Sequence, residues 1–175
     1  DMTGLAQKYG AVFSHLRIAD RPEDIHAARI ATGEAHAVLG GDLVVSAGSE
    51  ALSKMLEGHT RAIVSCTETP TADFTHDRDW HFPLSGLRQQ LSETLGVDGV
   101  RFIDAQHLAS RLMGDALYGN MLLLGYAWQC GLVPVSARAL EQAIVLNGAA
   151  IEANRMAFLW GRRAAVNPEK VAKIA

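Results

Sequence analysis

The run from Arg61 to Cys66, Arg-Ala-Ile-Val-Ser-Cys, constrains this chain more than any other stretch. It is compact, β-branched at its centre (Ile63, Val64), and has turn-forming or polar residues on both sides. A short, mainly apolar run of this kind reads as a strand covered on both faces, the pattern of a parallel sheet. Two companions follow the same logic. His36 to Leu39 is a short apolar strand closed by Gly40-Gly41-Asp42, and Val100 to Ile103 is a buried strand followed by Asp104, a helix-capping residue.

Helical patterns separate these strands. Ala47, Ala51, Leu52, Met55 and Leu56 fit one helical face, with Ser46 or Ser49 as its cap. Leu84, Leu87, Leu91 and Leu95 predict a helix over 84–95 that Gly96 ends. Leu108, Leu112 and Met113 continue the pattern after Asp104. Asn120 to Gln129 is apolar on nearly every side and is expected between layers. Ser136 caps a helix carrying Leu140, Ala143 and Ile144, and after Asn147-Gly148 a last helix carries Ile151, Phe158 and Leu159. Pro168 discourages its extension. The expected fold is α/β: a three-layer α/β/α arrangement with a largely parallel sheet and a helical C-terminal part, formed by residues 1–175 as a single domain.

The N-terminal stretch is crowded with polar groups: Thr3, Gln7, Lys8, Ser14, His15 and Arg17. From Val12 to Ala19, Val12, Ser14, Leu16 and Ile18 alternate with Phe13, His15 and Arg17, which predicts a strand. Arg21 to Glu34 opens on Pro22-Glu23-Asp24 and reads as a short helix or connector. Residues 67–83 form a long polar loop without a convincing period, and a loop of that length in a compact domain usually has a function or an edge to cover.

Several function classes fall away. The net charge is −3 and the basic residues are dispersed, with Arg162-Arg163 adjacent, so no basic stripe advertises nucleic acid. The apolar run from Met121 to Trp128 is too short to span a membrane and no signal peptide is visible; a cytoplasmic location is the expectation. Cys66 and Cys130 lie far apart; two thiols are too few for an iron–sulfur cluster and match no zinc pattern. His59, His76, His81, Asp73, Asp77 and Asp79 invite a metal, yet their spacings match no standard ligand set. Ser14 and His15 cannot act as nucleophile and base, because neighbouring strand residues point to opposite faces, and no G-x-S-x-G occurs.

Five blocks carry a resemblance: DMTGLAQKYGAVFSHLRIA from residue 1, GGDLVVSAGSEAL at Gly40 to Leu52, TETPTADFT at Thr67 to Thr75, GNMLLLGYAWQCGLVPVS at Gly119 to Ser136, and AIVLNGAAIEANRMAFLWGRR at Ala143 to Arg163. On these the chain resembles the gamma subunit, or gamma-type domain, of 2-oxoacid:ferredoxin oxidoreductases, and is most similar to that of the fused indolepyruvate-type enzymes. Two departures stand out. The Gly-rich strand–turn–helix with which such domains begin is not found, so the chain is expected to be a piece of a longer polypeptide. Tyr9 stands where the family has a small residue, and a bulky side chain restricts the loop.

The resemblance implies oxidative decarboxylation of a 2-oxoacid with coenzyme A and ferredoxin, giving an acyl-CoA, carbon dioxide and reduced ferredoxin. It implies that thiamine diphosphate, magnesium and iron–sulfur clusters sit in partner domains or subunits, with coenzyme A as co-substrate and ferredoxin as electron acceptor. This chain then carries no cofactor alone and no catalytic residue, and an uncovered strand edge favours self-association into a homo-oligomer.

Within that frame Gln7, Lys8, His15 and Arg17 are either a polar lip meeting the oxoacid carboxylate or coenzyme A phosphates, or an interdomain surface without substrate contact. Thr67 and Thr69 follow a strand end, where open α/β sheets place ligands or partners. Gly40-Gly41-Asp42 before a helix is either a phosphate-receiving nucleotide turn or a tight structural turn with Asp42 bonding backbone, the latter favoured because the third glycine of a dinucleotide motif is missing. Asn120, Gln129, Asn147 and Asn154 are amides expected in a structural network. Trp160 and Arg162 are an interface anchor or a plain helix end. The rival to the oxidoreductase assignment is a stand-alone Rossmann-like module holding a nucleotide or coenzyme A.

Overall fold

The computed structural model describes residues 2–3, 11–67 and 84–175. A two-residue ladder pairs β1 (Met2–Thr3) antiparallel with β2 (Phe13–Ser14). The main sheet is parallel and consists of β3 (Ala37–Gly40), β4 (Arg61–Ser65) and β5 (Val100–Ile103), in that order. Its register sets Ala37 against Arg61 and Gly40 against Val64, then Ala62 against Val100 and Ser65 against Ile103.

Because strand order follows chain order, right-handed crossovers carry both sets of connecting helices to one face. These are α1 (Leu43–Ser46), α2 (Ser49–Leu52) and α3 (Leu84–Leu95). Leu43, Ala47, Ala51, Met55, Leu91 and Leu95 pack there on Ala62, Val64 and Val100. On the other face lie α4 (Ala105–Met113) and α5 (Gly119–Gln129), with α7 (Ile151–Val166) packed on α5, and α6 (Ala137–Asn147) and α8 (Pro168–Ile174) resting on α7. Here Ile63 and Ile103 meet Ala105, Ala109, Leu122, Leu123, Ala127, Ala164 and Val171. The fold is thus three-layered α/β/α. Strand β4 is its axis: Ile63 is 1% exposed on one face and Val64 0% on the other. Each contributes about 1.5–3 kcal/mol by leaving water.

Helix ends follow local chemistry. Gly96, φ +76°, ends α3; Asp104 accepts the His107 N–H at 3.1 Å to open α4; Ser136 accepts the Ala139 N–H at 3.2 Å to open α6. Pro168 stops α7 and becomes the first residue of α8, capped by Asn167 Oδ1 on the Lys170 N–H at 3.0 Å. Val171 anchors α8 in the core, and the Arg111 guanidinium donates to the Ala175 carbonyl. Helices α5 and α7 touch closely: a Cβ built on Gly125 would fall on the Phe158 carbonyl, and one on Gly161 would fall on that of Leu122.

Two segments differ from expectation. The 43–56 pattern forms two single-turn helices rather than one, broken at Ala47-Gly48. Asp42, not Ser46 or Ser49, caps the first, its Oδ1 accepting the Val45 N–H at 2.9 Å, while Gly48 precedes the second. Ser46 instead donates back to the Asp42 carbonyl at 2.5 Å. The alternation from Val12 to Ala19 yields a strand only at Phe13–Ser14, and Val12, Leu16 and Ile18 are 51%, 75% and 60% exposed. Alternation buries a face only where a packing layer lies beneath it, and of this segment Phe13 packs on the core while these three do not. Pro22–Asp24 is a single 3-10 turn. No helix among the described residues is long and apolar enough to cross a membrane.

Candidate functional site at the carboxyl edge of the sheet

The carboxyl ends of β3, β4 and β5 converge, and their first residues beyond the strands share one hydrogen-bond network. Open parallel sheets bind ligands outside this edge because crossover loops leave a crevice there. Gly40 ends β3 buried, and any side chain on it would collide with the Ser46 hydroxyl; its absence lets α1 start directly over the strand end. Gly41 and Asp42 form the turn, as expected of a structural motif, with Asp42 spent on capping.

Strand β4 contributes Ser65, 1% exposed, and Thr67, half-buried. Strand β5 contributes Asp104 and, through the first turn of α4, Gln106. The Thr67 hydroxyl lies 2.5 Å from Asp104 Oδ1 and 2.6 Å from Gln106 Oε1, and 3.2 Å from Ser65 Oγ. Ser65 Oγ donates to Gln106 Oε1 and accepts the Ala105 N–H at 3.3 Å. Gln106 Nε2 donates to the Gly41 carbonyl at 3.0 Å. One carboxamide therefore spans the ends of all three strands. Asn120, in the first turn of α5, stands beside Gly41. The site is a cluster of hydroxyl, amide and backbone groups with Asp104 as its carboxylate. It can orient a polar ligand or partner, and its one carboxylate, Asp104, is engaged by the Thr67 hydroxyl.

Of the residues singled out from sequence, Thr67 belongs to this network. Arg17 and His15 form a second cluster. Arg17 donates to the Arg29 carbonyl at 2.8 Å and pairs with Glu34 at 3.1 Å, while His15 Nδ1 accepts the Ile30 N–H at 3.2 Å. They fasten the N-terminal segment to residues 29–34. Trp160 is partly buried against the core with the Arg163 guanidinium 4.8 Å above its ring. Arg162 lies 4.6 Å above the Trp128 ring and donates to Gln129 Oε1 at 3.0 Å, joining α7 to α5. Asn154 donates to the Ala149 carbonyl at 2.9 Å, but Asn120, Gln129 and Asn147 are exposed, so the four amides do not form the buried network expected of them. Gln7, Lys8, Tyr9 and Thr69, with His76, His81, Asp73, Asp77 and Asp79, lie outside the described residues.

Sequence reasoning missed Ser65 and Gln106. Ser65 was visible as the one polar interior member of the β4 run. Gln106 had only its place two residues after a strand-end cap.

Among the described residues no three His, Cys, Asp or Glu side chains gather as they would around a metal. Cys66 packs with the α1–α3 layer and Cys130 with the α4–α8 layer, so the sheet lies between the two thiols. They cannot ligate one cluster. His59 pairs its ring with that of His36 at 4.5 Å, at the amino end of the strands and away from the network.

Comparison with known proteins adds two findings. The family model described as pyruvate ferredoxin/flavodoxin oxidoreductase matches residues 1–164. A search among curated proteins finds no match.

Proposed function

The chain belongs to the pyruvate ferredoxin/flavodoxin oxidoreductase family, and from that membership we propose that it is the gamma-type domain of a thiamine diphosphate-dependent 2-oxoacid:ferredoxin oxidoreductase. The proposal extends to the fused indolepyruvate-type enzymes, in which the domain is one unit of a longer cytoplasmic polypeptide. The assembled enzyme decarboxylates a 2-oxoacid such as indolepyruvate oxidatively, giving an acyl-CoA and reduced ferredoxin.

The observation that carries this reading is the family match over residues 1–164. Thiamine diphosphate with magnesium and the iron–sulfur clusters then reside in partner domains or subunits, and this domain supplies orientation and assembly. In this reading Thr67 and Thr69 approach the substrate. Gln7, Lys8, His15 and Arg17 form the surface against the thiamine-bearing partner, and Trp160 with Arg162 anchors a subunit contact.

The test uses the enzyme with all its partner domains, supplied with an arylpyruvate, coenzyme A and a viologen dye. Dye reduction that requires the 2-oxoacid is the expected result. An assembled enzyme inert towards every 2-oxoacid overturns the reading.

A further inference from the structure

We infer that Gln106 is a positioning residue for the 2-oxoacid reaction, acting by holding the Thr67 hydroxyl at the carboxyl edge of the sheet. This rests on the function proposed above and names a residue that neither the sequence motifs nor the family match single out. The geometry is specific to a carboxamide. Its Oε1 accepts from the Ser65 hydroxyl and shares the single Thr67 hydroxyl proton with Asp104 Oδ1, and its Nε2 donates to the Gly41 carbonyl. A carboxylate in the same place would turn an oxygen onto the Gly41 carbonyl oxygen, beside the Asp104 carboxylate that already lies 2.5 Å from Thr67. A thioether of similar length would fill the space and bond neither side.

Without Gln106, the Thr67 hydroxyl keeps Asp104 and Ser65 as partners, but its direction is no longer shared with the β3 end. Ser65 is held independently by the Ala105 N–H, and Ala62 to Ser65 are buried in β4, so the strand itself does not depend on Gln106. The consequence of losing Gln106 therefore falls on where Thr67 points, and so on the substrate it meets.

The experiment is a double-mutant cycle in the assembled enzyme with Gln106→Met, Thr67→Val and the two combined, reading KM and kcat for an arylpyruvate. Each single substitution should raise KM on the order of tenfold, the effect of one well-placed hydrogen bond, with kcat changed far less. The double variant should be no worse than Thr67→Val alone, because Gln106 acts through that hydroxyl. Gln106→Glu serves as the second probe should the Met variant fold poorly, and it too should raise KM. Unchanged KM in folded Gln106 variants overturns the inference, as does an additive double variant. An unmodified enzyme that consumes no 2-oxoacid instead sinks the proposed function, which separates the two failures.

Discussion

Gly125 and Gly161 are reciprocal gaps through which α5 and α7 meet backbone to backbone. A Cβ on Gly125 would lie 2.8 Å from the Phe158 carbonyl carbon, and one on Gly161 would lie 2.8 Å from the Tyr126 nitrogen. Helix α5 is the layer element between the sheet and α7, so this contact sets how far α7 stands from β4.

Gly125→Ala and Gly161→Ala should each destabilise the fold. In a helix interior alanine is favoured over glycine by about 1 kcal/mol, so propensity alone predicts a gain. Overpacking a backbone contact costs about 1–3 kcal/mol or more and should win. Urea unfolding decides the matter: midpoints equal to or above that of the unmodified chain would show that the helices can separate freely.

Ala150 precedes α7 with φ 44°, a left-handed conformation that a Cβ disfavours by about 1–2 kcal/mol. Its carbonyl accepts the Asn154 N–H at 2.9 Å, which holds it there. Ala150→Gly removes the clash at some cost in chain entropy, leaving a net gain of about 1 kcal/mol. A thermal melt should move upward by a few degrees; a lower melting point would mean the strain is absent in solution.

Thr60 is 2% exposed and bridges two backbone groups, donating to the Ala35 carbonyl at 2.5 Å and accepting the Leu56 N–H at 2.9 Å. Thr60→Val keeps the volume and removes both bonds, leaving a donor and an acceptor short of partners at the entry to β4. The expected loss is about 1–3 kcal/mol by chemical denaturation. A neutral Thr60→Val would show that water replaces the hydroxyl.

Arg17 is bound by Glu34 within the chain, and the pair is partly exposed, with side chains 31% and 55% accessible. Arg17→Ala should therefore change stability by less than about 1 kcal/mol. In the assembled enzyme it should leave KM for coenzyme A and for the 2-oxoacid unaltered, consistent with a surface against a partner domain. A raised KM would instead mean that a substrate anion competes with Glu34 for the guanidinium.

Coenzyme A, NAD and flavins should leave the melting temperature of the isolated chain unchanged. A nucleotide-holding module would respond differently, gaining about 2.7 kcal/mol at a ligand concentration a hundredfold above Kd. A clear upward shift with any of them would favour the binding-module alternative.

Helix α3 and strand β5 have the bounds that periodicity and Gly96 predict, because a leucine stripe and a left-handed stop are local signals. The break at Gly48 was hidden inside a continuous apolar pattern, since hydrophobic spacing does not report where backbone bonds change partner. The alternation at Val12 to Ile18 misled because exposure is decided by what lies beneath a strand, not by the strand. At the site, Thr67 was legible from its place after a strand. Gln106 was not: its partner Gly41 is 65 residues away, and only the parallel register brings them together.

Helix α8 has a practical meaning for anyone who cuts this molecule. The region matched by the family ends at residue 164, inside α7, yet Val171 beyond it is 4% exposed and packs against the layer that covers Ile63. An expression boundary drawn at that edge would end α7 short, take Val171 out of the core and remove the acceptor of the Arg111 guanidinium at Ala175. The energetic border of this unit lies beyond Val171, and the span of shared ancestry understates it.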